Sequence, residues 1–576
     1  MPQAEAPAAA DPAGRVNVAD RLATHAARTP DAAAVVEHRR RGCREATFGE
    51  LDRDATHLAR GLAAMGVRPG HRIALLVRPG VEFVTLVFAL LRSGAVMVLV
   101  DGGLGRRNIV RCLESTRPDG FVAIPAGHAL RVLKRKRFPN ARLNVTVGRR
   151  WFWRGETLPS LRGLPTADCP LPTTKGDDPA AVVFTSGSTG PPKGVAYRHE
   201  TFATQCDQIQ RRYGLRPGAV DLACFPLFGL FNVACGVTTV LPEMDFSRPA
   251  SCDPRRLLAA ANDWKVSQSF ASPAVWDRLS RHAEQTGERA PTLQKVFSCG
   301  APVPAGVIRR TLAMAHPDAE LHTPYGATEA LPVATIEAGE ILGETAAKTD
   351  QGAGVCVGKK FDSIDWRVIR ITDEPIATID QAEELPAGEI GELVVRGPQV
   401  SRSYIANDEA RMTNDEPVGL SSSFVIRASS FHNQLAKIVD AQTIWHRMGD
   451  VGYLDDQGRF WYCGRKSQRV RHANGDLFAD RIEAVINTLP NVKRSALVGV
   501  NSQPVIIAQP YSAVRAGLTW EDWLEVNPRV AELWYGSGSH DDCGKSFTSF
   551  PRVLVHPNLP TDIRHNSKIR REELTV

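Results

Sequence analysis

Between Arg72 and Ile124 the chain repeats one rhythm: RIALLV, then VEFVTLVFALL, then AVMVLV, then a polar helical stretch from Arg106, then FVAI. Strand runs this uniformly apolar are buried on both faces. Parallel strands joined by crossover helices achieve that burial, so the alternation predicts a βαβ sheet covered by helices. A second α/β stretch spans about Ala219 to Leu331 and contains LQKVFSCGAP, a strand that ends in a glycine turn.

Beyond Gly352 the texture changes. Segments such as GEIGELVVRG and GRFWYCGRK are β-rich and glycine-punctuated, which predicts a small β-barrel or sheet. After Arg465 to Arg469 come DRIEAVINTL, SALVGV, VIIAQP and RVLVHPN, the pattern of a small α+β unit. The expected fold is therefore α/β: a large N-terminal domain of two α/β subdomains plus a small β-barrel, followed by a smaller mobile α+β C-terminal domain. The expected division is a disordered lead (1–14), a large domain (15–466) and a lid (467–576). Two tracts read as insertions of unassigned role: Ser421 to Asp440, and Thr519 to Phe550 with its three tryptophans.

Composition removes several classes. With 43% hydrophobic and 23% charged residues, the 576-residue chain is globular rather than disordered or fibrous. Seventy basic side chains against 63 acidic ones give +7, spread along the chain, so no nucleic-acid partner is expected. Eleven cysteines without a CxxC pair suggest neither a disulfide framework nor a zinc ribbon, and point to a reducing cytoplasm. Met1 to Gly14 lacks the basic start and apolar core of a secretory signal. Glu82, Arg92 and Gly94 interrupt the apolar tract Val81 to Val100, so no transmembrane segment is expected.

The chemistry concentrates in VVFTSGSTGPPKGVAYRH, Val182 to His199. Thr185, Ser186, Gly187, Ser188, Thr189 and Gly190 offer backbone N–H groups and hydroxyls without bulk, and Lys193 adds a cation, which is what a polyphosphate requires. The run is not a Walker A loop: the spacing differs, and Pro191 and Pro192 lead into the β-type residues Val195 to Tyr197. Gly538 to Ser546 imitates that loop with the wrong glycine spacing and reads as surface. No GxSxG elbow and no HExxH pair occur. Cys299 reads as a packing residue.

TSGSTGPPKG resembles the signature loop of the adenylate-forming enzymes, the family of acyl-CoA synthetases, amino-acid adenylation domains and firefly luciferase. Three further matches follow in that family's order: SCGAP with YGATEA at Tyr325 to Ala330, WHRMGDVGYLDDQGRFWYCGRK at Trp445 to Lys466, and LPTDIRHNSKIRREEL around Lys568. The resemblance implies ATP and Mg2+ as cofactors. It implies that Gly300, Ala301 and Pro302 line the adenine pocket and that Tyr325, followed by Gly326, stacks on the purine. Thr328 would contact the α-phosphate, Glu329 would hold magnesium, and Asp450 and Arg465 would bind the ribose. Lys568 would be the mobile catalytic lysine, brought in about a hinge at Ser467 and Gln468.

Thioester-forming relatives usually carry a Gly-Gly pair and a proline where this chain has Ala473, Asn474, Gly475, Asp480 and Arg481, and a gating histidine where it has Gly229. GRKSQRV from Gly464 and RHNSKI from Arg564 look most like the β-lactone synthetases of bacterial long-chain olefin biosynthesis. That resemblance implies adenylation of a 2-alkyl-3-hydroxy fatty acid, attack by its own hydroxyl, and a possible multi-enzyme assembly with other olefin-pathway enzymes. Phe225 to Val240 is the candidate wall for the alkyl chains, and no residue is assigned as base for the hydroxyl. A long-chain fatty acid-CoA ligase and a non-catalytic adenylate-binding assembly partner stand as alternatives.

Overall fold

The computed structural model describes residues 14–39, 42–165, 169–184, 192–405, 431–472, 475–489, 491–501, 503–511, 533, 552–561 and 569–574. The expected lead apart from Gly14, the loop Thr185 to Gly190, Ala473, Asn474, Lys568, and Thr519 to Phe550 apart from Leu533 lie outside the described residues.

The βαβ rhythm folds as expected. Arg72–Leu76, Val96–Val100, Gly120–Ala123 and Leu143–Thr146 are parallel strands of an eight-stranded sheet, with Ile73 opposite both Met97 and Gly120. The apolar tract that is too short and too charged to span a bilayer is the buried helix Val81–Arg92 plus the strand Val96–Val100. No helix among the described residues is long and apolar enough to cross a membrane. Strand Pro179–Phe184 joins the sheet beside Val96–Val100 and pairs antiparallel with Gly194–Arg198, Phe184 facing Gly194. These two paired strands flank the glycine-rich segment in sequence.

The second sheet is larger. Its parallel part runs Ala33–His38, Thr238–Leu241, Val220–Ala223, Gln268–Ala271, Lys295–Ser298 and Glu320–Ala327. From Val220–Ala223 the chain steps to one neighbour and then crosses to the other, a reversal of strand order of the kind that opens a crevice at the strands' carboxyl ends. The β-rich tract after Gly352 is continuous with this sheet. Ala330–Glu337 pairs with Val355–Lys360, which pairs with Phe460–Arg465, and Thr443–Leu454 and Gly391–Arg396 follow.

After the turn Lys466–Gln468 come a short hairpin, the helix Ala479–Ile486, and a three-stranded sheet of Val492–Val500, Gln503–Pro510 and Arg552–Val555. Ile482, Ile486, Leu497 and Ile506 form its own small core. This is the expected α+β pattern.

Candidate active site

Two antiparallel strands build the first half of the site. Thr443–Leu454 and Phe460–Arg465 pair so that Asp450 lies directly across from Arg465, and Arg465 Nη1 reaches Asp450 Oδ1 at 2.9 Å. The Tyr325 hydroxyl donates to Asp450 Oδ2 at 2.5 Å, arriving from Glu320–Ala327, 125 residues earlier. Asp450 is only 3% exposed. Its charge holds the Arg465 guanidinium above its ordinary range, while burial and the same carboxylate push the Tyr325 phenol well up. A carboxylate so fixed retains lone pairs for a vicinal diol, because each oxygen accepts more than one hydrogen bond. Gly300, at the end of Lys295–Ser298, has φ +97° and is exposed between half-buried Cys299 and Ala301. Cys299 packs against the cluster that holds Phe297 and Phe460, in keeping with a packing role.

The second half lies around Glu329. Thr328 and Glu329 occupy the bend between Glu320–Ala327 and Ala330–Glu337. The Tyr197 hydroxyl donates to the Thr328 carbonyl at 2.6 Å, and the Ser401 N–H donates to the Glu329 carbonyl at 2.7 Å. The Glu329 side chain is aimed by Tyr404, whose hydroxyl donates to Oε1 at 2.6 Å. Lys193 Nζ sits 5.2 Å from the Tyr404 ring centre.

Sequence reasoning missed what supports this carboxylate. Described residues of the supposed insertion at 421–440 form Phe431–Ala436 and the strand Lys437–Asp440, which pairs with Thr443–Leu454. Asn433 accepts from the Tyr404 N–H at 2.9 Å and donates to the Tyr404 carbonyl at 3.2 Å, which fixes the backbone that aims Glu329. Lys437 Nζ donates to the Ser401 carbonyl and lies 5.3 Å from the Tyr404 ring centre. It is 6% exposed, and burial brings its ammonium down to about 7 against the pull of Glu329. The one local signal is a lysine inside an apolar run, LAKIV.

The residues fit the metal that the resemblance implies. Among the described residues no cluster of three or more His, Cys, Asp or Glu side chains forms a self-sufficient cage. Magnesium that travels with a nucleotide takes one or two carboxylates and fills its remaining positions with phosphate and water oxygens. Glu329, held by the Tyr404 hydroxyl whose ring lies near Lys193, is such a carboxylate.

The candidate alkyl wall divides in two. Val233, Val237 and Val240 are buried core, whereas Phe225 and Phe228 are half-buried and join Phe270 in one cluster. Phe228 stacks on Phe270 at 3.7 Å between ring centres. Gly229 faces the other way: a Cβ there would lie 3.2 Å from Val84 and 3.6 Å from Thr239. A histidine at 229 would enter the core, so this helix phase puts no imidazole over the site.

Lys466 Nζ is anchored to Glu392 Oε2 and the Thr372 carbonyl, both at 3.0 Å, immediately before Ser467 and Gln468. Gln468 accepts from Arg571, which also grips both oxygens of Glu483 on the helix Ala479–Ile486. Asp480, at the start of that helix, lies within reach of Gly464, and burial beside Glu483 raises its carboxyl. The C-terminal unit thereby contacts the strand that carries Arg465.

The Asp450–Arg465–Tyr325 cluster stands on strands of one large sheet, and the Tyr404-held Glu329 at a bend between two strands of the same sheet. The AMP-binding enzyme family model matches residues 22–405, and the chain belongs to that family. It is 41% identical over 570 residues to an olefin beta-lactone synthetase of Stenotrophomonas maltophilia, covering 97% of each chain. To an olefin beta-lactone synthetase of Xanthomonas campestris it is 39% identical over 535 residues, covering 92% of this chain and 90% of the other. Among solved structures, the O-succinylbenzoate coenzyme A synthetase of Bacillus subtilis in complex with ATP and magnesium ion shares the fold, with TM-score 0.69, 20% identity, and 96% and 99% of the two chains covered.

Proposed function

We propose that this protein activates a long-chain 2-alkyl-3-hydroxy fatty acid with ATP and closes it to a β-lactone, releasing AMP and pyrophosphate, as a step of long-chain olefin biosynthesis. The observation that carries the reading is the identity of about two residues in five, over 97% and 92% of this chain, with two olefin beta-lactone synthetases. The site geometry supports the chemistry.

A carboxylate oxygen attacks the α-phosphorus, a P–O bond forms, and the bond to the departing pyrophosphate breaks. Asp450 and Arg465 fix the ribose, and Tyr325, itself held by Asp450, offers its ring face to the purine. Thr185 to Gly190 and Lys193 cradle the phosphates, and the Tyr404 hydroxyl keeps Glu329 turned toward them. Magnesium held by Glu329 supplies charge neutralisation on the phosphate oxygens. Lys568, in a lid of residues 467–576 that hinges at Ser467 and Gln468, steadies the attacking carboxylate and the bridging oxygen. The 3-hydroxyl oxygen then attacks the acyl carbon, the bond to AMP breaks, and the hydroxyl proton leaves to solvent. Holding hydroxyl and acyl carbon together beside Phe225, Phe228 and Phe270 removes most of the entropic cost of closing a strained ring.

The reading includes a cytoplasmic location and work beside other enzymes of the same pathway. Its test is mass spectrometry of the product formed from ATP, magnesium and a 2-alkyl-3-hydroxy fatty acid, with and without coenzyme A. A product lighter by one water in both reactions supports lactone closure. A thioester that appears only with coenzyme A overturns it in favour of a fatty acid-CoA ligase.

A further inference from the structure

One stretch of the first sheet's edge is set apart by charge. Residues 131–154 contain nine arginines and lysines and no aspartate or glutamate. Since the whole chain has 70 basic and 63 acidic side chains, the remainder holds two more acidic than basic ones. All the excess positive charge of this protein therefore resides in 24 residues.

The same stretch carries exposed apolar surface. Among the described residues seven large hydrophobic side chains stand exposed, and three of them are here: Leu133 at 79%, Trp151 at 57% and Phe152 at 78%. Trp151 and Phe152 sit at the tip of the loop between Leu143–Thr146 and Glu156–Thr157, flanked by exposed Arg149, Arg150 and Arg154. The tip is built rather than loose. Trp153 is buried, donates through Nε1 to Thr146 Oγ1 at 3.0 Å, and stacks on His128 of the helix Pro125–Leu133. The Trp151 and Phe152 rings rest on Trp153 at 5.4 and 5.3 Å between centres. Arg131 donates to the same His128 at 3.3 Å, which adds a fourth basic side chain around the tip. Leu133, about 7.5 Å beyond His128, and then the run Lys134 to Arg137 follow at the far end of that helix.

Folding buries Trp153 and leaves its two neighbours in water, an arrangement that the internal packing of this domain does not require. Paired aromatic rings at a loop tip, flanked by exposed Arg149, Arg150 and Arg154, are complementary to a lipid–water boundary. The rings insert at headgroup depth while the guanidinium groups meet phosphate. A protein partner matched to this charge would need a strongly acidic face with an aromatic slot. An anionic bilayer offers both features at once.

We propose that the 131–154 edge, led by Trp151 and Phe152, docks this protein reversibly on anionic phospholipid surfaces. The inference rests on exposure and charge alone and stands apart from the identity of the substrate. Docking of this kind weakens as salt screens it.

The test is cosedimentation of the full-length protein with vesicles of phosphatidylcholine alone and of phosphatidylcholine containing one third phosphatidylglycerol, at low and physiological salt. Expected are binding that requires phosphatidylglycerol, weakening with salt, and a loss of at least about fivefold in Trp151→Ala/Phe152→Ala. Arg149→Glu/Arg154→Glu, at roughly fivefold per basic side chain removed, falls by more than tenfold. Thermal melting of both variants should match the parent, since the replaced side chains are exposed. Absence of binding to either vesicle, or equal binding by parent and aromatic variant, overturns the proposal. So does sedimentation of the parent as an oligomer that the aromatic variant disperses, which would assign the patch to a protein contact. Retention by duplex DNA without vesicle binding would assign it to nucleic acid and overturn it as well.

Discussion

Replacing Lys437 with Met should make this protein more stable and less active, and the stability gain should depend on pH. The ammonium is 6% exposed, and burial lowers its proton affinity from the ordinary 10.5 to about 7. The unfolded chain therefore binds a proton that the folded one resists between these values. The resulting penalty is complete below pH 7, shrinks as pH rises, and is gone above pH 10.5. At about 1.4 kcal/mol per unit the penalty is roughly 5 kcal/mol. Met matches the volume but leaves the Ser401 carbonyl without this donor, a loss of about 1–3 kcal/mol. The net gain is about 2–4 kcal/mol at pH 6.5, and at pH 10 it falls to near zero or reverses. Urea unfolding of the protein without nucleotide, at pH 6.5, 8 and 10, measures this directly. A difference between Lys437→Met and its parent that is absent, or that is the same at all three values, would refute the reasoning. Activity should fall because the buried cation packs against Tyr404, which aims Glu329.

Four further substitutions probe the site. Asp450→Asn keeps the shape but weakens charge-assisted bonds of about 1.5–3 kcal/mol, so KM for ATP should rise about tenfold to a hundredfold in pyrophosphate-release assays. Tyr404→Phe retains the ring and removes the donor to Glu329 Oε1; kcat should drop about tenfold and the magnesium concentration for half activity should rise. Lys568→Ala should cut adenylate formation by about a hundredfold or more, and unchanged pyrophosphate release would remove that assignment. Gly229→His should lower stability by about 1–3 kcal/mol through crowding at Val84 and Thr239 in denaturant titration, without creating thioester formation.

The motif residues of the candidate site were legible in the sequence, whereas the side chains that support Glu329 were not, for a physical reason. Asp450, Arg465 and Tyr325 belong to contiguous motifs, so the resemblance to the adenylate-forming enzymes pointed to all three, and the structure brings them together although Tyr325 is distant in the chain. Tyr404, Asn433 and Lys437 act through contacts that no local spacing encodes. Tyr404 meets Glu329 across 75 residues, and Asn433 meets Tyr404 across 29. The parallel core of the first sheet was legible because apolar runs alternate with a helix of the right length. That the later β-rich tract extends the second sheet depends on the pairing of Ala334 with Lys360 and of Thr335 with Lys359, a register that composition does not carry. The direction of Gly229 is likewise a matter of helix phase, visible only once Val84 is seen beneath it. Net charge averages over the chain: +7 over 576 residues conceals one 24-residue stretch with nine basic groups and no acidic one.

The central claim is that the substrate carboxylate is activated on phosphorus and the hydroxyl oxygen becomes the ring oxygen. A substrate labelled with oxygen-18 at both carboxylate positions tests it in one incubation with ATP and magnesium. The account predicts AMP heavier by one label and a β-lactone that retains one label, in its carbonyl. Unlabelled AMP together with a lactone that retains both labels would mean that the hydroxyl, not the carboxylate, was activated, and would contradict it.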